Sequence, residues 1–586
     1  MNSQTSSLRS LRARSLVLGL WPGALALGSA LGCSLLYDLS PDQCGATAEC
    51  VGRFGKSYVC DDGLCKRTGG SSDDSQDSDA GMSGGCTSHA QCLEKNGDLD
   101  PTVCVEGECV PLRTDECPVL LPMRNDQWLE SLKSSNALIL GAFSPVPKAS
   151  FVSNFTRFDD LAVTELSEEV MGLPGPNGKR REIVMVVCDG ATPKRETLAK
   201  SSSHLIDELA VPGIVSTLQS ADLQYVFEEK ASDAGTFIIS ALDADESILN
   251  LKDQGLVWTM LTGAEQVAVP VAPLLDRVVA YLRKTDALAA DEDVRVALVA
   301  PTGEPRLLND MGAAIKKSIH FNGASATDNY PDNFRAIDIV TVYDDADKAR
   351  DQSKVVSQLL DFMPHVVIAM ASNEFLSAAI PGVEGQWDTL GDAPRPFYIL
   401  SPYHLGASDI GTALQSAPNL ERRMVGVAYA SATDTSVYKD YLIRLEQAYP
   451  EITNDKSYEH LENFYDAPYY LLYATAAAGN PPRLTGSALA QGMTRLLSGP
   501  TYDIGRDDMV EALGLLQSNS KSTITLNGTL GPASFDPATG ARADAGSVFC
   551  INGLQQFISD VLRWDATAKK FIDADPAIGS ACIKSF

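Results

Sequence analysis

Thirteen cysteines carry most of the chemistry visible in this sequence. Eight form a repeat: Cys44, Cys50, Cys60 and Cys65, then Cys86, Cys92, Cys104 and Cys109, with matching ends "VCDDGLCKR" and "VCVEGECVP". Cys117, Cys188, Cys550 and Cys582 are scattered further on, and Cys33 precedes them all. Zinc sites need closely spaced CxxC or Cys/His pairs kept as thiolates, whereas these clusters contain one histidine, His89. Disulfides are the expected chemistry, worth about 2–4 kcal/mol each in modules too small for their own core. The four late cysteines allow three pairings, one of which joins Cys117 to Cys188 and Cys550 to Cys582.

Catalytic constellations are absent from the pattern. The six histidines show no HExxH spacing, and there is no Gly-x-Ser-x-Gly elbow. "GRFGKS" at 52–57 has two residues where a phosphate-cradling loop needs four. His204, in "SSHLIDEL", is expected on a helix surface. Asp243 and Glu246, among 76 acidic residues, are expected to be solvated rather than an acid/base pair. The reading is binding without turnover: no enzyme, no cofactor and no metal.

The N-terminus sets the compartment. Arg9, Arg12 and Arg14 precede the apolar run "SLVLGLWPGALALGSALG", and no acidic residue comes before Asp38. That order suits an export signal, and Pro22 with several glycines makes the run marginal as a permanent span. Residues 1–32 are read as a removed signal, with an N-terminal membrane anchor as the competing reading. The sequence Ala30-Leu31-Gly32-Cys33 resembles a bacterial lipobox, with Ala30 and Leu31 in reverse of the usual order. Lipidation of Cys33 leaves twelve cysteines that can pair completely; the alternative is an ordinary half-cystine after a conventional cleavage site. Buried methylenes at ~0.8 kcal/mol each, over more than one acyl chain, give durable attachment. Ser34, not Asp, follows the cysteine, which by resemblance to enteric sorting favours the outer membrane. The formal charge of −29 at pH 7 excludes a broad nucleic-acid-binding surface.

The elements that must position any site begin near residue 117. Apolar runs such as "NALILGAF", "EIVMVVCD", "VPGIVS", "TFIISAL", "VRVALVAP", "DIVTVY", "HVVIAMAS", "PFYILSP" and "MVGVAYAS" read as buried parallel strands. Helical patterns separate them, among them "RLLNDMGAAIKKSI" and "VYKDYLIRLEQAY". Repeated βα units over this length predict two doubly wound α/β lobes. Upstream lie a Cys-rich module at 33–68, an acidic Gly/Ser linker at 69–85 and a second Cys-rich module at 86–112.

The order of segments resembles the type 1 periplasmic-binding-protein family, the leucine/isoleucine/valine-binding group, over residues 117–586. It rests on "ILGAFSP", "LAVPGIVSTLQSADL", "GTFIISALDADESI", "GLVWTMLTGAEQVAVPVAPLL", "DVRVALVAPTGEPRLLNDMGAAI", "HLENFYDAPYYLLYATAAAG" and "LNGTLGPASFDPATG". The resemblance implies a two-lobed domain at 113–586, with lobe 1 about 117–265 and 456–530 and lobe 2 about 266–455 and 531–586. It also implies a solute held between the lobes. Ser144, Ser216, Thr217, Ser240 and Ala241 stand where hydroxyls and backbone groups would grip a ligand carboxylate, or would simply cap helices. From the second lobe, Thr302, Ser372, Asn373, Tyr403 and Tyr429 would close over it. Tyr465 and Asp466 are expected in core packing.

Phe143-Ser144-Pro145-Val146 replaces the usual Gly-rich first turn, Trp258-Thr259-Met260 replaces Phe-Arg-Thr, and Pro301-Thr302-Gly303-Glu304 replaces an acidic-Tyr-Gly turn. The implied function is a lipid-anchored solute-binding protein of a bacterial cell envelope, facing periplasm or cell surface. It would capture an amino acid, amide or similar solute for an ABC-type permease or a sensor. The alternatives are a surface adhesion or signalling protein that keeps the fold, or a hydrolase grafted on it.

Overall fold

The computed structural model describes residues 58–61, 64–67, 85–96, 101–123, 127–134, 137–145, 154–174, 180–190, 194–303, 305–340, 352–405, 407, 409–417, 419–429, 435–451, 461–479, 481, 483–543, 546–552, 557–565 and 568–573. The signal, the lipidation position Cys33, and Cys44, Cys50 and Cys582 lie outside the described residues.

Unbroken apolar runs become strands covered on both faces. Every residue of Gly213–Ser216, Phe237–Ser240 and Val257–Thr262 is buried, which is why these segments show no apolar/polar alternation. They lie in a seven-stranded sheet ordered Ala541–Arg542, Val257–Thr262, Phe237–Ser240, Gly213–Ser216, Leu138–Ser144, Ile183–Asp189, Val119–Leu121. All its pairs are parallel except the edge strand Val119–Leu121, which runs antiparallel to Ile183–Asp189. The second lobe holds eight strands. Phe334–Asp338, Val296–Ala300, Val366–Ala369, Phe397–Leu400 and Met424–Ala428 are parallel, and Ser547–Ile551, Phe557–Asp565 and Lys570–Asp573 extend them antiparallel. The two-lobed, doubly wound α/β architecture implied by the resemblance is therefore present.

The chain passes between lobes three times, and two of the crossings differ from the expected boundaries. Val437, Tyr438, Tyr441 and Leu445 of the helix Ser436–Ala448 pack in the lobe 1 core with Phe158 and Tyr465. The second crossing thus precedes this helix, instead of following residue 455, because helical periodicity does not say which sheet a helix covers. The third follows Ala541–Arg542, which joins the lobe 1 sheet beside Val257–Thr262, so residues 531–543 belong to lobe 1. One strand is also displaced: the edge position beside Val296–Ala300 in the lobe 2 sheet is filled by Phe334–Asp338, which ends where the expected run "DIVTVY" begins; residues 341–343 of that run lie outside the described residues. Only Phe334 and Ile337 are buried, one on each face, and Arg335, Ala336 and Asp338 between and after them are partly or fully exposed, so the strand lacks the continuous apolar run that marks the others.

The second Cys-rich module is a helix, His89–Asn96, beside a hairpin of Thr102–Val105 and Glu108–Pro111. Disulfides Cys86–Cys104 and Cys92–Cys109 interlace it. Its apolar residues Leu93, Val103 and Leu112 share one core cluster with Trp128, Ile139 and Leu205 of lobe 1. The cross-links are therefore not its only support. Of the first module a hairpin is described, Tyr58–Asp61 with Leu64–Arg67, in which Cys60 stands opposite Cys65. Cys117 pairs with Cys188, fastening the start of lobe 1 to the strand Ile183–Asp189, and Cys550 is disulfide-bonded. Among the described residues no helix is long and apolar enough to cross a membrane.

Candidate ligand-binding site

The carboxyl ends of the parallel strands of both lobes open on one cleft, where short loops turn into helices. In lobe 1 the strand ending at Ser216 leads to the helix Ser220–Val226, and the strand ending at Ser240 leads to a tight loop carrying Asp243 and Asp245. Ser240 staples that loop: its hydroxyl donates to the carbonyl of Asp243 and accepts the Asp243 N–H, both at 3.2 Å. The Asp243 carboxylate then reaches back to the start of the helix. Its Oδ2 accepts the Ser220 N–H at 3.0 Å and also the Ser220 hydroxyl, while Oδ1 accepts the Ala244 N–H at 2.9 Å.

A cavity of about 340 Å³ lies between the lobes. Gln219, Leu242 and Asp243 line it from lobe 1, and Pro305, Ser372, Asn373, Glu374 and Tyr403 from lobe 2. The volume falls in the range of small-molecule pockets, about 300–1,000 Å³. The lobe 2 wall is held from behind by His404, which is fully buried. Its Nδ1 accepts the Ser401 N–H at 3.2 Å and its Nε2 meets the Ser372 carbonyl at 2.9 Å. Ser372 donates its hydroxyl to Glu374.

Burial dominates the electrostatics. Asp243 is only 4% exposed, and desolvation, partly offset by Ser220 and reinforced by the charge of Asp245, pushes its carboxyl up to about 7. The Tyr429 hydroxyl, at the second crossing, is buried without a hydrogen-bond partner among the described residues; burial and then the charge of Asp243 push it upward. At the rim, Arg306 Nη1 donates across the lobes to Gln224 Oε1 and Ser247 Oγ, both at 3.1 Å. The Glu246 N–H donates to Asp310 Oδ2 at 3.1 Å.

Of the ten expected ligand contacts, Ser372, Asn373 and Tyr403 line the cavity. The expected lobe 1 residues are not in its described lining. Ser216 is fully buried and its hydroxyl accepts the Leu218 N–H; Thr217 donates its hydroxyl to the Phe143 carbonyl; the Ala241 carbonyl accepts the Asn463 side-chain amide. Ser144 is fully buried and donates to Asp159 Oδ2 at 3.0 Å. Thr302 is exposed and bonds Asp338 through its N–H and hydroxyl.

Two expectations are corrected. Asp243 is buried in the cleft wall, not solvated, because its loop folds back onto a helix start. His204 is 2% exposed, not on a helix surface, because the second Cys-rich module covers it: its Nε2 meets the Leu112 carbonyl at 3.2 Å. Tyr465 and Asp466 are fully buried in the core. Sequence reasoning passed over Gln219, Leu242, Asp243, Pro305 and Glu374 as cavity residues. The signal for Asp243 was positional: "ALDAD" directly follows a strand run, where a cleft loop belongs.

No protein-family model matches the sequence, and a search of curated proteins finds no match. Solved structures similar to this chain include the leucine binding protein LivK from Thermotoga maritima, 13% identical with a TM-score of 0.48, covering 75% of this chain and 99% of that one. A solute binding protein of an ABC transporter from Rhodopseudomonas palustris, in complex with 3,4-dihydroxy benzoic acid, is 12% identical with a TM-score of 0.48, covering 75% and 99%. The branched-chain amino acid transporter substrate binding protein LivJ from Streptococcus pneumoniae, in complex with isoleucine, is 12% identical with a TM-score of 0.45, covering 71% and 95%.

Proposed function

We propose that the protein is an extracytoplasmic solute-binding protein, tethered through lipid on Cys33, that captures a small solute between its lobes. An ABC-type permease or a sensor would read the closed form. The observation that carries this reading is the cavity of about 340 Å³ walled from both lobes, with the chain crossing between them three times. Such a connection permits closure about a ligand, and a ligand that touches both walls favours the closed state. Within this reading Ser372, Asn373 and Tyr403 contact the solute directly, and Tyr429 contributes at the hinge. Ser144, Ser216, Thr217, Ser240 and Ala241 act by holding the lobe 1 loops in place.

The test uses the mature chain, because the second Cys-rich module shares the lobe 1 core. A Cys33→Ser variant should leave the membrane fraction and stay soluble for a thermal-shift screen of small solutes. At least one solute should raise the melting temperature in a concentration-dependent way, corresponding to about 2.7 kcal/mol of stabilisation at a hundredfold excess over Kd. Continued membrane attachment of the variant would reject the tether, and a flat screen across cationic, neutral, zwitterionic and anionic solutes would reject the binding role.

A further inference from the structure

We propose that this cleft takes a small organic cation, an amine, amidine or guanidine without a carboxylate, held between Asp243 of lobe 1 and Glu374 of lobe 2. The inference rests on the solute-binding reading above and names the class of solute.

In an open α/β cleft, an anionic group is ordinarily held by backbone N–H groups where a strand turns into a helix. Here that position is already filled by a side chain of the same lobe. The Ser220 N–H, first in the helix after Gly213–Ser216, and the Ser220 hydroxyl both donate to Asp243 Oδ2. The hydroxyls of Ser216 and Ser240 are engaged within the lobe. A ligand carboxylate arriving at this wall would meet another carboxylate.

The described cavity lining contains two carboxylates, one from each lobe, and no Lys, Arg or His. Asp245, fully buried, adds to the negative field, and its Oδ2 has no hydrogen-bond partner among the described residues. Arg306, which follows the lining residue Pro305, directs Nη1 to Gln224 and Ser247. The remaining polar features suit a cation as well. Tyr403, an aromatic residue, lines the cavity, and the Tyr429 hydroxyl, which has no hydrogen-bond partner among the described residues, lies in the field of Asp243. Aromatic faces and carboxylates together are what a desolvated ammonium or guanidinium needs.

The experiment is calorimetric titration of the Cys33→Ser protein at pH 8 with agmatine, putrescine and choline, against leucine, benzoate and acetamide. At least one cation should bind, and leucine, benzoate and acetamide should bind more weakly by about tenfold or more. Asp243→Asn and Glu374→Gln should each weaken the cation by about tenfold, the scale of one charge-assisted hydrogen bond. Melting of the ligand-free variants checks that both fold. Equal or tighter binding of leucine or benzoate would overturn the inference while leaving the solute-binding role standing, as would cation affinity that survives both substitutions. Failure of every probe would remove the binding role and the inference with it.

Discussion

His404 and Ser372 are joined by a 2.9 Å contact between the imidazole Nε2 and a backbone carbonyl, and this contact ties together two loops of the lobe 2 cleft wall. The tautomer follows from the surroundings. The Ser401 N–H donates to Nδ1, so the proton sits on Nε2 and is donated to Ser372. Both His404 and Ser401 are fully buried, so water does not replace the ring if it is lost.

His404→Ala should therefore cost about 2–4 kcal/mol, since it leaves a buried donor and a buried acceptor unpaired. Burial lowers the native imidazole to about 4. For a depressed histidine the stability is present above the ordinary value and is lost as pH falls through about 6.5 toward 4. Urea midpoints between pH 7 and 4 should fall steeply in the native protein and less in the variant. His365, also lowered to about 4, accounts for the slope that remains. An unchanged slope in His404→Ala would rule out the clamp as its source.

Asp243 titrates in the opposite sense. Its native value is raised to about 7, chiefly by burial, so its contribution is present below the usual carboxylate range and is lost as pH rises through about 7. The groups around it are Ser220 and the Ala244 N–H, which favour the carboxylate, Asp245, which opposes it, and the Tyr429 hydroxyl. Glu374 faces the same cavity. In Asp243→Asn the melting temperature should fall less between pH 5 and 8 than in the native protein. A cationic solute should bind the native protein more tightly as pH rises through 7, and this dependence should vanish in the variant.

The sheet strands were legible because helices cover both faces, so burial is written as uninterrupted apolar runs such as "GIVS" and "FIIS". The strand Phe334–Asp338 was not, since it is an edge strand in which Arg335, Ala336 and Asp338 break the apolar run. Periodicity identified the helix Ser436–Ala448 but could not assign it to lobe 1, because that depends on contacts with Phe158 and Tyr465, distant in sequence. Asp243 was lost in an average: with 76 acidic residues, solvation is the sound expectation for any one of them, and only the fold-back onto Ser220 distinguishes this one.

Ser144 owes its place to a second buried carboxyl. It donates to Asp159, which burial raises to about 8, with the charge of Asp160 adding to the effect. Asp159 contributes stability that is fully present below the ordinary carboxylate range and disappears as pH rises through about 8. Asp159→Asn keeps an acceptor for the Ser144 hydroxyl and removes the titration. The variant should come nearest the native protein toward pH 4 and exceed it by a margin that widens up to pH 9, read by chemical denaturation. Equal stability at both pH values would show that Asp159 does not titrate within this range.

His89 fixes the second Cys-rich module to lobe 1. Its Nδ1 accepts the Cys104 N–H at 3.1 Å within the module, and its Nε2 meets the Ala137 carbonyl of the lobe at 2.9 Å. Burial, with a smaller push from Arg181, lowers its value, so the neutral ring is the native form. Protonation would take away the acceptor for Cys104, and docking should weaken as pH falls below the ordinary histidine range. His89→Ala should cost about 1–3 kcal/mol of docking and raise amide exchange across residues 86–112 and at Ala137–Ile139. Exchange in the lobe 2 strand Val366–Ala369 should not change, since the module's apolar residues Leu93, Val103 and Leu112 pack only with lobe 1 residues in their cluster. The disulfides Cys86–Cys104 and Cys92–Cys109 would keep the module folded after release, so its own hairpin amides should stay protected longer than those at the seam. Protection at the seam equal to that of the native protein would show that apolar contact alone holds the module in place.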